Sequence, residues 1–220
     1  MIWWWKKDDE TDDSAGGSSN AVATEERRES VVVVSGLPRS GTSLMMQMLE
    51  AGGIEPLTDG VRARDEDNPR GYYEMERVKQ LPEGDTEWVG QARGRALKVV
   101  SALIQSLPQE HTYRVIFMHR RIEEVLASQE KMLDHRQEGK ETDDEEMAGI
   151  FRSHLEEVRG WLDEQPNFAC LDVDFNELVG DPEPVVEEVN EFLGGDLDSR
   201  EMARVVDPDL YRNRAGDGDG

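Results

Sequence analysis

The spacing of apolar residues changes abruptly at Ser35-Gly36. Before that point Val31-Val32-Val33-Val34 is an unbroken β-branched run, the pattern of a strand covered on both faces. After it Leu44, Met45, Met48 and Leu49 share one stripe of a helical period, and Ala51-Gly52-Gly53 ends the predicted helix. The alternation returns downstream. Ala96 to Val100 reads as a short strand and Val115 to Met118 as a second buried one, followed by a helix with Ile122, Val125, Leu126, Met132 and Leu133 inward. Thr142 to Glu145 has capping-box form and opens an amphipathic helix carrying Met147, Ile150, Phe151, Leu155, Val158, Trp161 and Leu162 on one side. Phe168 to Val173 is the last clear strand, Asp181-Pro182 starts a turn, and Val185 to Leu193 is a helix stopped by Gly194-Gly195. Strands alternating with helices predict an α/β fold, three layers deep, with a mainly parallel central sheet. Leu57 to Gly94 breaks the alternation: it is polar, dense in charge and too long for a plain connection, which predicts a partly helical excursion near the site.

Between the first strand and its helix lies Gly36-Leu37-Pro38-Arg39-Ser40-Gly41-Thr42-Ser43, with the spacing G-x-x-x-x-G-K-[ST] of a phosphate-cradling loop. Thr42 stands where the lysine should be, and the cation sits earlier, at Arg39. Such a loop binds anions because successive N–H groups converge and the helix N-terminus adds partial positive charge. Ser40, Gly41, Thr42 and Ser43 are therefore candidate phosphate ligands. A second anion site is predicted at the strand tip His119-Arg120-Arg121, where ligands gather in an open α/β sheet. The Arg120 guanidinium and the Ser128 hydroxyl on the next helix can converge on one phosphate; alternatively, Arg120 pairs with a carboxylate and Ser128 is an ordinary helix residue. Two anion sites suit a nucleotide phosphorylated at both the 5′ and 3′ positions. The strand tip also offers no carboxylate where a P-loop ATPase would hold magnesium. His119 points to the face opposite Arg120 and reads as structural. His111, His135 and His154 fit no metal spacing beside a single cysteine, so no metal site is predicted.

GLPRSGTSLMMQML resembles the 5′-phosphosulfate loop of the sulfotransferases that use 3′-phosphoadenosine 5′-phosphosulfate (PAPS). YRVIFMHRRIEEVLASQEKML is similar to the 3′-phosphate segment of the same family, with Arg120 and Ser128 in the matching places. FACLDVDFNELVGDPEPVVEEVNEFL resembles its late strand, DP turn and closing helix. The resemblance covers most of residues 31–206 and implies a P-loop fold, PAPS as co-substrate without metal, and in-line transfer of a sulfo group to a hydroxyl or amine acceptor. It also implies roles. The Ser40–Ser43 amides would hold the 5′-phosphate, Arg120 and Ser128 the 3′-phosphate, and Arg39 with Ser43 or Thr42 the charge developing around sulfur. NPRGYYEMERV resembles a segment of bacterial sulfotransferase-like proteins and offers Glu74 as the candidate base, with an exposed helical face as the alternative. Lys98 lies where the family tends to place a lysine near the sulfo group, or is a surface cation. MARVVDPDLYRNR resembles the end of related sequences, and Arg212 or Arg214 could reach the 3′-phosphate. Two other readings stay open, an ATP-dependent P-loop kinase or hydrolase and a non-catalytic nucleotide-binding protein of the same fold. The acceptor, a small molecule or peptide, stays open among alcohol, phenol, amine, sugar and peptide tyrosine, as does the oligomeric state.

Charge narrows the partners. The 220 residues carry 49 acidic against 25 basic side chains, net −24, and only a small part of this lies in residues 1–30. Such a surface repels nucleic acid and anionic membrane. Arginine dominates the cations, which with the carboxylate excess predicts adaptation to a salt-rich cytoplasm, where long-range steering is screened and direct contacts must bind the substrate. Cys170 is the single cysteine, compatible with a reducing compartment. No apolar run approaches the ~20 residues of a membrane span. The start, with Trp3-Trp4-Trp5 before Lys6-Lys7, lacks a signal-peptide core. The expected organisation is a flexible acidic tail over residues 1–29, a single domain over 30–214 and a disordered tail over 215–220, in the cytoplasm.

Overall fold

The structure is a computed structural model, and it describes residues 16–60, 73–136 and 143–206. Helix α1, Gly16–Glu29, leads into strand β1, Val31–Gly36, and helix α2, Thr42–Ala51. Two 3₁₀ segments, Glu76–Glu83 and Val89–Ala92, precede the short strand β2, Ala96–Lys98, and a third, Ser101–Ser106, follows it. Strand β3, Tyr113–His119, helix α3, Ile122–Arg136, helix α4, Asp144–Glu164, and strand β4, Phe168–Asp174, complete the sheet region. Helices α5, Phe175–Gly180, α6, Pro182–Phe192, and α7, Ser199–Val205, close the described chain.

All strand pairs are parallel, in the order β2-β1-β3-β4. The four valines of β1 are fully buried, as an unbroken β-branched run in a central parallel strand requires. Their pleat divides the core: Val32 and Val34 join Ile116, Met118 and Val173 beneath α2, α5, α6 and α7. Val31 and Val33 join Tyr113, Val115, Phe117 and Phe168 beneath α4 and the 3₁₀ segments. This is the three-layer arrangement expected. Because β2 and β3 flank β1, the chain leaves β1 at a topological switch point, the crevice where open α/β sheets bind ligands. Gly36, Lys98 and His119 end their strands on this one edge.

Several boundaries differ from the sequence reading. Residues 16–29, placed in the tail by composition, form α1, because its last turns have somewhere to dock. Arg27, 7% exposed, forms an ion pair with Asp196 at 2.9 Å, and Thr24 donates to the Gly194 carbonyl. Strand β2 stops at Lys98 rather than Val100, and the Asp181-Pro182 turn is already the start of α6, with proline at the first helical position. Asp143, not Thr142, caps α4 by accepting from the Glu145 N–H; Thr142 lies outside the described residues. Among the described residues, no helix is long and apolar enough to cross a membrane.

Candidate active site

The loop between β1 and α2 is fixed by close packing. Gly36 has φ 143°, and a Cβ there would stand 2.6 Å from the Met118 carbonyl oxygen. Gly41, φ 98°, caps α2, and a Cβ would meet the Phe175 ring at 2.3 Å. Neither position has room for a side chain. Between them Arg39 takes φ 73°, a left-handed conformation costing about 1–2 kcal/mol for a non-glycine residue. Arg120 Nη1 holds that backbone by donating to the Arg39 carbonyl at 3.1 Å. The Ser40 N–H donates to the Leu37 carbonyl, 3.2 Å, so the first amide of the expected cradle is used within the turn. The amides of Gly41, Thr42 and Ser43 follow, where a helix has no internal acceptors and its dipole favours an anion. The Ser40 hydroxyl is buried without a hydrogen-bond partner among the described residues. Leaving such a group unpaired costs about 1–3 kcal/mol, which an anion in the loop would relieve. The loop therefore fits a phosphate group.

Two clusters lie against this loop. In the first, Arg39 Nε donates to Ser128 Oγ at 2.8 Å, and both Ser128 and Arg120 are almost wholly buried. Arg120 Nε donates to Glu124 at 3.0 Å and its guanidinium stacks 4.5 Å from the Phe175 ring centroid. Arg120 thus pairs with a carboxylate, the second alternative, and it also holds the loop through the Arg39 carbonyl, with Arg39 linking that loop to Ser128. In the second cluster Lys98 Nζ donates to Ser43 Oγ at 3.1 Å and lies 3.8 Å from Glu74 Oε1. Lys98, 9% exposed in its side chain, is not a surface cation, and Glu74 does not lie on an outward helical face. Thr42 is buried at the helix start.

Glu74 owes its place to its neighbours. Tyr73, φ 53°, turns the chain and donates to Glu50 on α2 at 2.6 Å. Thr58 Oγ1 donates to the Glu74 carbonyl at 2.8 Å, and the Glu76 N–H donates to Asp59 at 2.6 Å. The start of the excursion is thereby tied to its middle. His119 is bound to Asp172 at 2.7 Å, away from these clusters. Burial pushes the Asp172 carboxyl up, but the hydrogen bond from His119 and the Arg159 guanidinium outweigh it and hold it below its ordinary value. Arg212 and Arg214 lie outside the described residues, as do residues 68–72.

Sequence reasoning missed Glu124, Asn176 and Phe175. Asn176 Nδ2 donates to both Glu124 oxygens at 3.1 Å, and Phe175 forms the surface on which Gly41 and Arg120 rest. The spacing of Arg120, Glu124 and Ser128, four residues apart along α3, could have revealed the first.

Comparison with known proteins bears on the family and the fold. The sequence model of the sulfotransferase domain matches residues 29–211. Among solved structures, sulfotransferase STF1 from Mycobacterium tuberculosis superposes with TM-score 0.50 at 18% identity, over 86% of this chain and 75% of that one. The sulfotransferase domain from the curacin biosynthetic pathway gives 0.47 at 15% identity, covering 84% and 80%. Mouse sulfotransferase SULT7A1, solved with PAP, gives 0.44 at 16%, covering 88% and 69%. No curated protein matches the sequence. With the domain match spanning most of its length and the mycobacterial structure sharing its parallel-sheet α/β fold, this chain belongs to the sulfotransferase family.

Proposed function

We propose that the protein moves a sulfo group from PAPS to a hydroxyl or amine acceptor. The observation that carries this reading is the bridge between two anion subsites: Arg39 belongs to the glycine loop, yet its side chain reaches Ser128 and its carbonyl is held by Arg120. A nucleotide with phosphate at both ends needs two such subsites, whereas the single polyphosphate of ATP needs one.

In this reading the amides of Gly41, Thr42 and Ser43 bind the 5′-phosphate, and Ser40 offers its hydroxyl from below. Arg120 and Ser128 bind the 3′-phosphate. Arg39, standing between them, stabilises charge on the bridging and sulfo oxygens, and Lys98, anchored on Ser43, does so from the opposite side. Glu74 accepts the acceptor's proton; its 3.8 Å approach to Lys98 places it beside the cation that is anchored on the loop. Bound PAPS supplies an electrophilic sulfur: the acceptor oxygen or nitrogen forms a bond to it as the bond to the 5′-phosphate oxygen breaks, and bisphosphoadenosine leaves.

The test is to incubate the protein with a pool of phenols, alcohols, sugars and amines and either PAPS or the donor lacking the 3′-phosphate, then search for sulfated products by mass spectrometry. Products from PAPS, also formed in the presence of a chelator, are expected. Nucleotide binding with no sulfated product from any acceptor class would favour the non-catalytic reading.

A further inference from the structure

The buried carboxylate beside the second anion subsite is the least expected feature of the molecule. A carboxylate next to a phosphate site repels the ligand, and Glu124 is 1% exposed in its side chain. Its surroundings give it a purpose. Arg120 Nε donates to it at 3.0 Å, Asn176 Nδ2 donates to both its oxygens at 3.1 Å, and Arg121 Nη1 lies 3.9 Å away. Asn176 is itself fixed at the start of α5, where its N–H donates to Asp174 at 2.7 Å.

These contacts define how Arg120 can point. A guanidinium is a rigid planar fork, so fixing one edge and one face fixes its direction. Glu124 takes the Nε edge, the Phe175 ring lies under the face, and the Arg39 carbonyl accepts from Nη1. Arg120, Glu124 and Ser128 follow one another at four-residue intervals into and along α3, so the support and the subsite lie on the same stripe. Arg39, Arg120 and Arg121 bring positive charge to this corner, which a phosphate requires.

We propose that Glu124, held by Asn176, is a positioning residue for Arg120, and that the orientation so imposed gives the site its preference for a 3′-phosphorylated nucleotide. The inference rests on the donor reading above and adds residues that do not touch the nucleotide. The experiment is calorimetric titration of the wild type, Glu124→Gln and Asn176→Ala with 3′,5′-bisphosphoadenosine and with AMP. Loss of a charge-assisted hydrogen bond predicts about tenfold weaker bisphosphate binding for Glu124→Gln and about threefold for Asn176→Ala, with AMP affinity changed less than about twofold. An unchanged or tightened bisphosphate-to-AMP preference in both variants overturns the proposal while leaving the donor reading intact. Parallel loss of both nucleotides with a lowered melting temperature marks a merely structural role and also overturns it. Should Glu124→Gln fail to fold, the ratio for Asn176→Ala decides. A wild type that binds the two nucleotides alike removes the donor reading, and this inference with it.

Discussion

The two sides of the candidate site are built differently. On the nucleotide side the loop is packed against glycine Cβ positions, a ring and a carbonyl, and its charges are buried: Arg120 and Glu124 are 8% and 1% exposed in their side chains. On the proposed acceptor side, the excursion between α2 and β2 is anchored by a few buried residues of its 3₁₀ turns, Val78, Leu81, Trp88 and Val89, and its polar surface carries exposed ion pairs such as Arg77–Asp85, Lys79–Glu76 and Arg95–Glu55. Buried pairs depend on geometry, and removing one partner costs about 3–5 kcal/mol. Exposed pairs are worth about 0–1 kcal/mol. Under the function proposed above, the loop half is preformed for a constant ligand, while the exposed surface of the other half is free to differ so long as its core residues Val78, Leu81, Trp88 and Val89 are kept.

The largest effect expected is at Arg39. Arg39→Ala should abolish detectable turnover with the fold intact. Arg39→Gly should do the same while gaining up to about 1 kcal/mol in a urea melt, because glycine relieves the left-handed backbone at φ 73°. Activity surviving in either variant would break the comparison at its strongest point. Next come Glu74→Gln and Lys98→Ala, each expected to lower turnover about 10²–10⁴-fold, as loss of a general base or of a charge-stabilising cation does. Bisphosphoadenosine affinity should hardly change in Glu74→Gln, which separates the two sides by measurement. Gly41→Ala should lose about 2–4 kcal/mol in the same melt, because its Cβ enters the Phe175 ring and its φ of 98° disfavours any side chain. The smallest effect belongs to the acceptor surface. The Asp85 carboxyl is held below its ordinary value chiefly by the hydrogen bond from Arg77. In Arg77→Ala it should titrate higher by NMR, while melting temperature and turnover stay as they were.

The same contrast explains what could be read from the amino-acid order. Val31–Val34, the two loop glycines and the Arg120–Ser128 spacing each obey a local rule, so the parallel sheet, the loop after β1 and the residues gathered beside it were legible. Glu124 was not read, because its four-residue spacing between Arg120 and Ser128 is a weak signal among 49 acidic residues; burial is what sets it apart. Phe175 and Asn176 were hidden for a related reason: they reach Arg120 and Glu124, respectively, across more than fifty positions of sequence, through tertiary packing alone. Helix α1 was read as tail because Gly16-Gly17-Ser18-Ser19 has linker composition, while the Arg27–Asp196 pair that docks its end joins residues 169 positions apart. Glu74 was legible only through resemblance, since its approach to Lys98 depends on the Tyr73 turn and on ties from Thr58 and Asp59.

The most direct test of two subsites gripping one nucleotide is calorimetric titration of the wild type with 3′,5′-bisphosphoadenosine in chelator, against AMP in chelator and ATP with magnesium. The bisphosphate should bind at least about tenfold more tightly than either, a margin of about 1.4 kcal/mol contributed by Arg120 and Ser128. Equal affinities, or a preference for ATP that magnesium strengthens, would contradict the account.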